Sequence, residues 1–331
     1  MSANYDHLIK AFPHLSFKEN EALKPYTYMK VGGPARLFLE VTQKSDLFEV
    51  VRYCFINNIP FVVLGGASNV VVSDQGIDKL VILNKTSKIQ HEMIQNHGMI
   101  TADSGVITAV LSNYASEQHL TGLEHFVGVP GTVGGAVFNN SHFTAHELFG
   151  NTVQSVEVCT SEGNNETWKH ADLRFGYDTS IFHSNPAVIL SVTLKLNVGE
   201  EAVIRDAILT AATKRALSQP IGVPSTGCMY KNPTLSTSKL AALQEILEIP
   251  ETAIKKIHPD QFNVAAGLLI DQAGLKGRAV GGAMVSTKHA TYIVNTGDAT
   301  TTDIETLCRQ VEEEVQTKFQ IKLEKEVFFI R

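Results

Sequence analysis

The stretch Val127-Gly128-Val129-Pro130-Gly131-Thr132-Val133-Gly134-Gly135-Ala136-Val137-Phe138-Asn139-Asn140 decides how this chain is read, together with an earlier one, Val63-Leu64-Gly65-Gly66-Ala67-Ser68-Asn69. In both, β-branched residues flank glycines. Each therefore reads as a strand entering a tight turn, where the backbone packs without side chains and its N–H groups can converge on an anion. The pair suggests one shared ligand, a diphosphate. A P-loop is excluded because no Lys or Arg lies between Val127 and Asn140. The glycine spacing is not that of a Rossmann fingerprint, and no helical run is expected after it. Taken singly, either stretch could be an ordinary glycine-punctuated turn.

At 331 residues the chain exceeds one ordinary core, and about 150 residues per domain predicts two or three. With 44% apolar and 19% charged residues, the composition is that of a folded soluble protein. A net charge of −6, with no basic cluster beyond Lys214-Arg215 and Lys255-Lys256, argues against nucleic acid or an anionic membrane as partner. The N-terminus carries charge and proline where a signal peptide needs an apolar core, and no apolar run of about 18 residues occurs, so a cytoplasmic protein is expected. The four cysteines, Cys54, Cys159, Cys228 and Cys308, show no C-x-x-C pair and indicate neither zinc nor a disulfide framework. Cys54, Cys159 and Cys308 read as core residues. Cys228 sits in a polar setting expected to be a loop.

Along the chain, Leu37, Leu39 and Val41 alternate, and Ser45 is expected to cap a helix with Leu47, Val50, Val51, Cys54 and Phe55 on its apolar face. Strands follow at 61–64, 69–72 and 80–83. From about Ile89 short strands dominate, interrupted by a helix with Val106, Val110, Leu111 and Tyr114 inward, and strands at 153–158 and 187–196 close this part. Beyond a boundary near Gly199 come a helix with Val203, Ala207, Ile208 and Ala211 inward, and another over Leu240, Leu243, Ile246 and Leu247. The last helix carries Ile304, Leu307, Cys308, Val311, Val315 and Phe319 at helical spacing, capped by Thr302 or Asp303. The apolar chain end, Leu323 to Ile330, must dock into a sheet.

Seven ordered motifs carry a resemblance over nearly the full length: Val31-Gly32-Gly33-Pro34-Ala35, Leu64 to Asp74, Gly122 to Asn140, Phe175 to Phe182, Gly227 to Pro233, Leu269 to Gly277 and Leu323 to Ile330. By these the chain resembles the UDP-N-acetylenolpyruvoylglucosamine reductase (MurB) family. The resemblance implies an α+β protein. Its FAD-binding part would have the PCMH, or vanillyl-alcohol-oxidase-type, two-subdomain fold (1–85 and 86–199, with 321–331 docking back onto the first), followed by an α+β domain (200–320) for a UDP-sugar. It implies a monomeric enzyme of peptidoglycan precursor synthesis in which NADPH reduces FAD. Reduced flavin then gives hydride to the enolpyruvyl β-carbon, and a protein acid protonates the α-carbon.

Residue by residue, the resemblance places Gly65, Gly66, Ala67, Ser68, Asn69, Pro130, Gly131, Thr132, Gly134, Gly135 and Asn139 at FAD. It places Tyr177, Lys231, Asn232, Lys276, Ser286 and His289 at the substrate. Cys228 would be the acid, and a thiol at the reference pKa of ~8.5 is mostly protonated at neutral pH. Glu326 matches the family's catalytic carboxylate, although Lys325 stands where the family has proline. No tyrosine-bearing loop fits between Ser180 and Val188, which indicates the family's shorter type.

Two departures stand out. Asp178 occupies the position of the arginine that polarises the substrate carboxylate, so a bidentate clamp is replaced by a like charge. Arg174 is a weak substitute. The stretch Ser141 to Phe149 replaces a short family run and carries His142, His146 and Glu147, whose order is not that of a zinc motif; a loop is expected. Two alternatives to the reductase stay open at this stage: a flavin- and UDP-sugar-binding protein without enol reduction, and a flavin oxidoreductase for another substrate.

Overall fold

The computed structural model describes residues 3–143 and 147–331. Its described residues form two compact units. The first comprises the N-terminal segment through Ala22, Pro34–Ala67 and Ile77–Leu217; the second comprises Leu23–Gly33, Ser68–Gly76 and Ser218–Arg331.

The first unit holds two sheets. One has the order Phe17–Ala22, Pro34–Val41, Ile77–Asn84, Phe61–Leu64, with the last three strands parallel. Helix Lys44–Ile56 supplies the crossover from Pro34–Val41 to Phe61–Leu64, the two strands that flank Ile77–Asn84. Its Leu47, Val50, Val51 and Cys54 are buried at the expected spacing, but the N-cap is Gln43 and not Ser45. The other sheet is antiparallel, ordered Asn165–Lys169, Val153–Cys159, Val188–Val198, His97–Asp103, Ile89–Ile94.

Two helices pack on this second sheet. Thr108–Glu117 buries Leu111, Ser112 and Ala115, while Val110, expected inward, is half exposed. Val133–Asn139 is a helix where none was expected. Two adjacent glycines are poor helix formers, yet the Thr132 side chain accepts from Gly135 N–H and caps the first turn.

Helix Glu201–Ser218, placed by sequence beyond the Gly199 boundary, clusters with this unit. It buries Ile204 and Ala211, leaves Val203 exposed, and its Arg215 donates to the Gly128 carbonyl at 2.9 Å.

In the second unit, Ser225–Cys228 pairs with Tyr292–Asn295, which continues to Ala283–Val285 and Ala279–Val280. A three-stranded sheet, Thr234–Ser236, Gln261–Val264 and Ile254–His258, lies apart from it in the pairing order. Helix Thr237–Ile246 buries Leu240 and Leu243 but leaves Ile246 exposed. The apolar chain end docks as expected: Phe328–Ile330 pairs in parallel with Val70–Val72.

Helix Thr301–Phe319 buries all six expected residues, a stripe that fixes it to the core of this unit. Its N-cap is Thr300, with Asp303 completing a capping box.

Asp74, the last residue of the LGGASNVVVSD motif, accepts from the Thr301 and Thr302 N–H groups at 2.8 and 2.9 Å. Partial burial opposes ionisation, but these hydrogen bonds outweigh it and hold the carboxyl below its usual range. A lowered folded pKa contributes stability above the unfolded value of ~3.9, lost as pH falls through the folded one. Asp74→Ala is therefore expected to cost about 1 kcal/mol at neutral pH and nothing below the folded pKa, read by denaturant titration at both pH values. No described helix is long and apolar enough to cross a membrane.

Candidate functional site

In the first unit the two glycine stretches touch. A Cβ at Gly65 would come within 2.2 Å of Thr132 Oγ1, and one at Gly66 within 2.8 Å of Gly131 Cα. Neither position has room for a side chain, because the facing group is itself tightly placed backbone or a capping hydroxyl. Ala67 follows in a left-handed conformation, φ 48°. Two backbones meeting without side chains make a surface that a dinucleotide diphosphate can approach closely, so the residues present fit FAD.

Not every glycine serves that surface. Gly134 donates its N–H to the Ser104 carbonyl at 2.8 Å, and a Cβ there would meet Ser104 Cβ at 2.9 Å, so its identity is explained by packing. Pro130 and Gly135 are exposed, and Asn139 is half-buried at the end of the short helix.

The segment Phe175 to Phe182 is bound to the second glycine stretch by two side chains that sequence reasoning passed over. Asn140, left-handed at φ 46°, donates to the Gly176 carbonyl at 2.8 Å and accepts from Gly150 N–H at 2.9 Å. Ser180 donates to the Phe138 carbonyl at 2.6 Å. Their signal was present in the motif, since a buried polar residue beside a turn must find backbone partners.

This clamp presents Tyr177, partly exposed, and Asp178, buried and itself left-handed at φ 50°. The two departures from the family pattern meet here: Asp178 Oδ1 lies 2.9 Å from His142 Nδ1, and the Tyr177 ring lies 5.2 Å from that imidazole. Asp178 Oδ2 is buried without a hydrogen-bond partner. The charge that replaced the arginine thus has a histidine partner drawn from the altered stretch. Glu147 pairs instead with His125 at 2.9 Å, and His146 lies outside the described residues. Arg174 is exposed in a left-handed turn. His142→Ala would leave a buried carboxylate unsatisfied, a loss of about 1–3 kcal/mol. Its thermal midpoint is expected to fall by several degrees, and an unchanged midpoint would show that the pair adds no net stability.

In the second unit Cys228 ends a strand rather than sitting in a loop. The bulge between Ser225 and Cys228 in its pairing with Val294 and Tyr292 admits Gly227 at φ 79°. Burial pushes the thiols of Cys54 and Cys308 up to about 12 and that of Cys159 up to about 11. Cys228 is only partly buried, and its Sγ accepts from the Thr291 hydroxyl at 3.2 Å.

Glu326 is brought to this strand by main-chain bonds: its N–H donates to Met229 O, and Lys231 N–H donates to Glu324 O, both at 2.9 Å. Asn69, through its side-chain amide, also reaches the Glu326 carbonyl at 3.4 Å. The structure therefore places the expected acid and carboxylate on neighbouring backbone.

The other expected substrate residues divide into structural and available groups. Asn232 accepts from Ala266 N–H at 2.9 Å and so orients the helix Ala266–Gln272. Ser286, buried, accepts from the Lys288 and His289 N–H groups. Lys276 pairs with Asp271 at 2.6 Å. Lys231 is half-buried. Burial, and then the charge of Lys276, hold the His289 imidazole below its usual value.

Residues 35–167 match the family model described as an FAD binding domain, and residues 219–330 match the C-terminal domain of UDP-N-acetylenolpyruvoylglucosamine reductase. Together with the glycine surface, these matches define a flavoprotein with an FAD-binding part and a distinct C-terminal domain. A UDP-N-acetylenolpyruvoylglucosamine reductase of Listeria welshimeri is 33% identical over 326 residues, covering 98% of this chain and 99% of the relative. One of Chlamydia muridarum is 34% identical over 323 residues, covering 98% and 97%. The crystal structure of UDP-N-acetylenolpyruvylglucosamine reductase (MurB) from Thermus caldophilus superposes with a TM-score of 0.73 at 28% identity, over 96% of this chain and 99% of that one. The chain belongs to the UDP-N-acetylenolpyruvoylglucosamine reductase family.

Proposed function

We propose that the protein is a cytoplasmic, monomeric, FAD-dependent reductase that uses NADPH to convert UDP-N-acetylenolpyruvoylglucosamine to UDP-N-acetylmuramate for peptidoglycan synthesis. Full-length family membership supports the reaction class. The observation that supports the chemistry is the setting of Cys228: a partly exposed thiol, hydrogen-bonded at Sγ, whose neighbour Met229 accepts from the Glu326 main-chain N–H.

When bound, FAD supplies the hydride that adds to the enol double bond. The Gly65-Gly66 and Gly131-Thr132 surface would hold its diphosphate. Negative charge then develops on the α-carbon and spreads into the substrate carboxylate, where electrostatic stabilisation matters most. Cys228 gives its S–H proton to that carbon, and Glu326 assists as a fixed charge and hydrogen-bond acceptor. Lys231 and Lys276 of the second unit are the residues for the diphosphate and sugar. His142 is the hydrogen-bond partner of Asp178, so the carboxylate that stands at the family arginine's position is held by an imidazole.

NADPH consumption that depends on the enolpyruvyl sugar, with UDP-N-acetylmuramate as product, tests the reading. A flavoprotein that oxidises NADPH and leaves the sugar unchanged would favour the binding-protein alternative.

A further inference from the structure

Beside Cys228 lies a short chain of polar atoms with a direction. Thr291 Oγ1 donates to Cys228 Sγ at 3.2 Å, and the same oxygen lies 2.8 Å from His289 Nδ1. Because the threonine hydroxyl has a single proton and spends it on sulfur, its bond with the imidazole must be one in which Nδ1–H donates. The order is therefore N–H to O–H to S, pointing at the thiol.

Backbone geometry holds each member. Met229 N–H donates to Thr291 O at 2.8 Å, and Cys228 stands opposite Tyr292 in the sheet. His289 N–H donates to Ser286 Oγ, Tyr292 N–H donates to His289 O at 2.9 Å, and the Tyr292 ring meets the imidazole edge-on at 4.8 Å. Thr291 is buried, at 3% exposure, while His289 is partly exposed. The far end of the chain can thus exchange with water while its middle cannot. Burial and Lys276 keep the imidazole neutral at neutral pH, the form in which one nitrogen can accept a proton as the other gives one up.

We propose that His289 and Thr291 form the proton route that restores the Cys228 thiol after each turnover. The inference rests on the reading above, in which Cys228 protonates the substrate carbon. That step breaks the S–H bond, forms a C–H bond and leaves a thiolate, with product covering the side of the sulfur from which the proton left. The Thr291 O–H proton then moves to sulfur, the His289 Nδ1–H proton moves to the Thr291 oxygen, and a solvent water gives a proton to Nε2 and leaves as hydroxide, carrying off the negative charge the thiolate held. One S–H bond is remade and no charge accumulates. Water-mediated exchange between the two imidazole nitrogens restores the starting tautomer. Thr291 is a positioning and relay residue; Cys228 remains the group that touches the substrate.

A buried threonine that simply satisfies its hydroxyl would show the same distances, so the test must separate relay from packing. Thr291→Val keeps shape and removes the hydroxyl; Thr291→Ser keeps the hydroxyl. Anaerobically reduced Thr291→Val mixed with one equivalent of UDP-N-acetylenolpyruvoylglucosamine is expected to lose less of its flavin reoxidation rate than of its steady-state rate, because Cys228 begins protonated and only the weaker acidity of its thiol is felt. With excess NADPH and substrate, turnover is expected to fall about tenfold or more, toward the contribution typical of a general acid, and Thr291→Ser is expected to restore it.

A second readout needs no substrate. The hydroxyl that donates to Sγ favours the thiolate, so Thr291→Val should slow alkylation of Cys228 by iodoacetamide; the other three cysteines are buried and do not compete. Wild-type turnover in Thr291→Val, or equal losses in single and multiple turnover, would overturn the relay, as would failure of Thr291→Ser to rescue. If wild-type reduced flavin ignores the substrate, the proposed function falls instead, and the alkylation arm still decides whether Thr291 acts on the thiol.

Discussion

Cys228→Ala is expected to slow substrate-driven reoxidation of the reduced flavin by about 10²–10⁴-fold, the range lost with a positioned general acid. Flavin content and reduction by NADPH should stay at wild-type values, because the glycine surface belongs to the other unit of the chain. Cys228→Ser should retain most of the rate, since a hydroxyl in the same place can also give up a proton and accept from Thr291. The structure makes this a clean experiment. Cys54, Cys159 and Cys308 are fully buried, so Cys228 is the thiol that a ligand can meet. An alanine variant with wild-type reoxidation would remove Cys228 from the mechanism.

Gly66→Val is expected to yield protein that purifies without flavin. Even a single Cβ at this position falls 2.8 Å from Gly131 Cα, and the facing atom is main chain, which cannot rotate away as a side chain can. The two stretches must separate to admit the larger valine. Overpacking of this kind costs about 1–3 kcal/mol, which a folded unit with two sheets of its own can absorb. A precisely spaced anion surface cannot. Far-UV circular dichroism should therefore stay native while the flavin absorbance disappears. Gly66→Val protein carrying stoichiometric FAD would contradict the assignment of this surface.

Much of the fold was legible because burial leaves a period in the sequence. The Thr301–Phe319 stripe, the Lys44–Ile56 face and the docking of the apolar chain end at Phe328–Ile330 all follow from it. Helices of weaker pattern were placed well and faced less well, as exposed Val110, Val203 and Ile246 show. Local propensity misled at Val133–Asn139, where tertiary contacts to Ser104 and Val106 and a threonine cap outweigh two glycines.

The site was legible as motifs but not as partnerships. Nothing in the linear chain announces that His142 would meet Asp178, 36 residues on, or that Asp74 would anchor a helix more than two hundred residues later. Both depend on long-range register. Thr291 was hidden for a simpler reason: a threonine just before the strand Tyr292–Asn295 reads as a β-former, and only the 2.8 and 3.2 Å contacts show that its hydroxyl is engaged.

An enol reduction by this chain needs FAD on the glycine surface and Cys228 as acid. The most direct measurement is to reduce the purified protein anaerobically with NADPH, remove excess nucleotide, and add UDP-N-acetylenolpyruvoylglucosamine. Rapid return of the oxidised flavin spectrum is expected, with one equivalent of UDP-N-acetylmuramate formed. A spectrum that stays reduced in the presence of substrate, or a protein that binds no flavin at all, would contradict it.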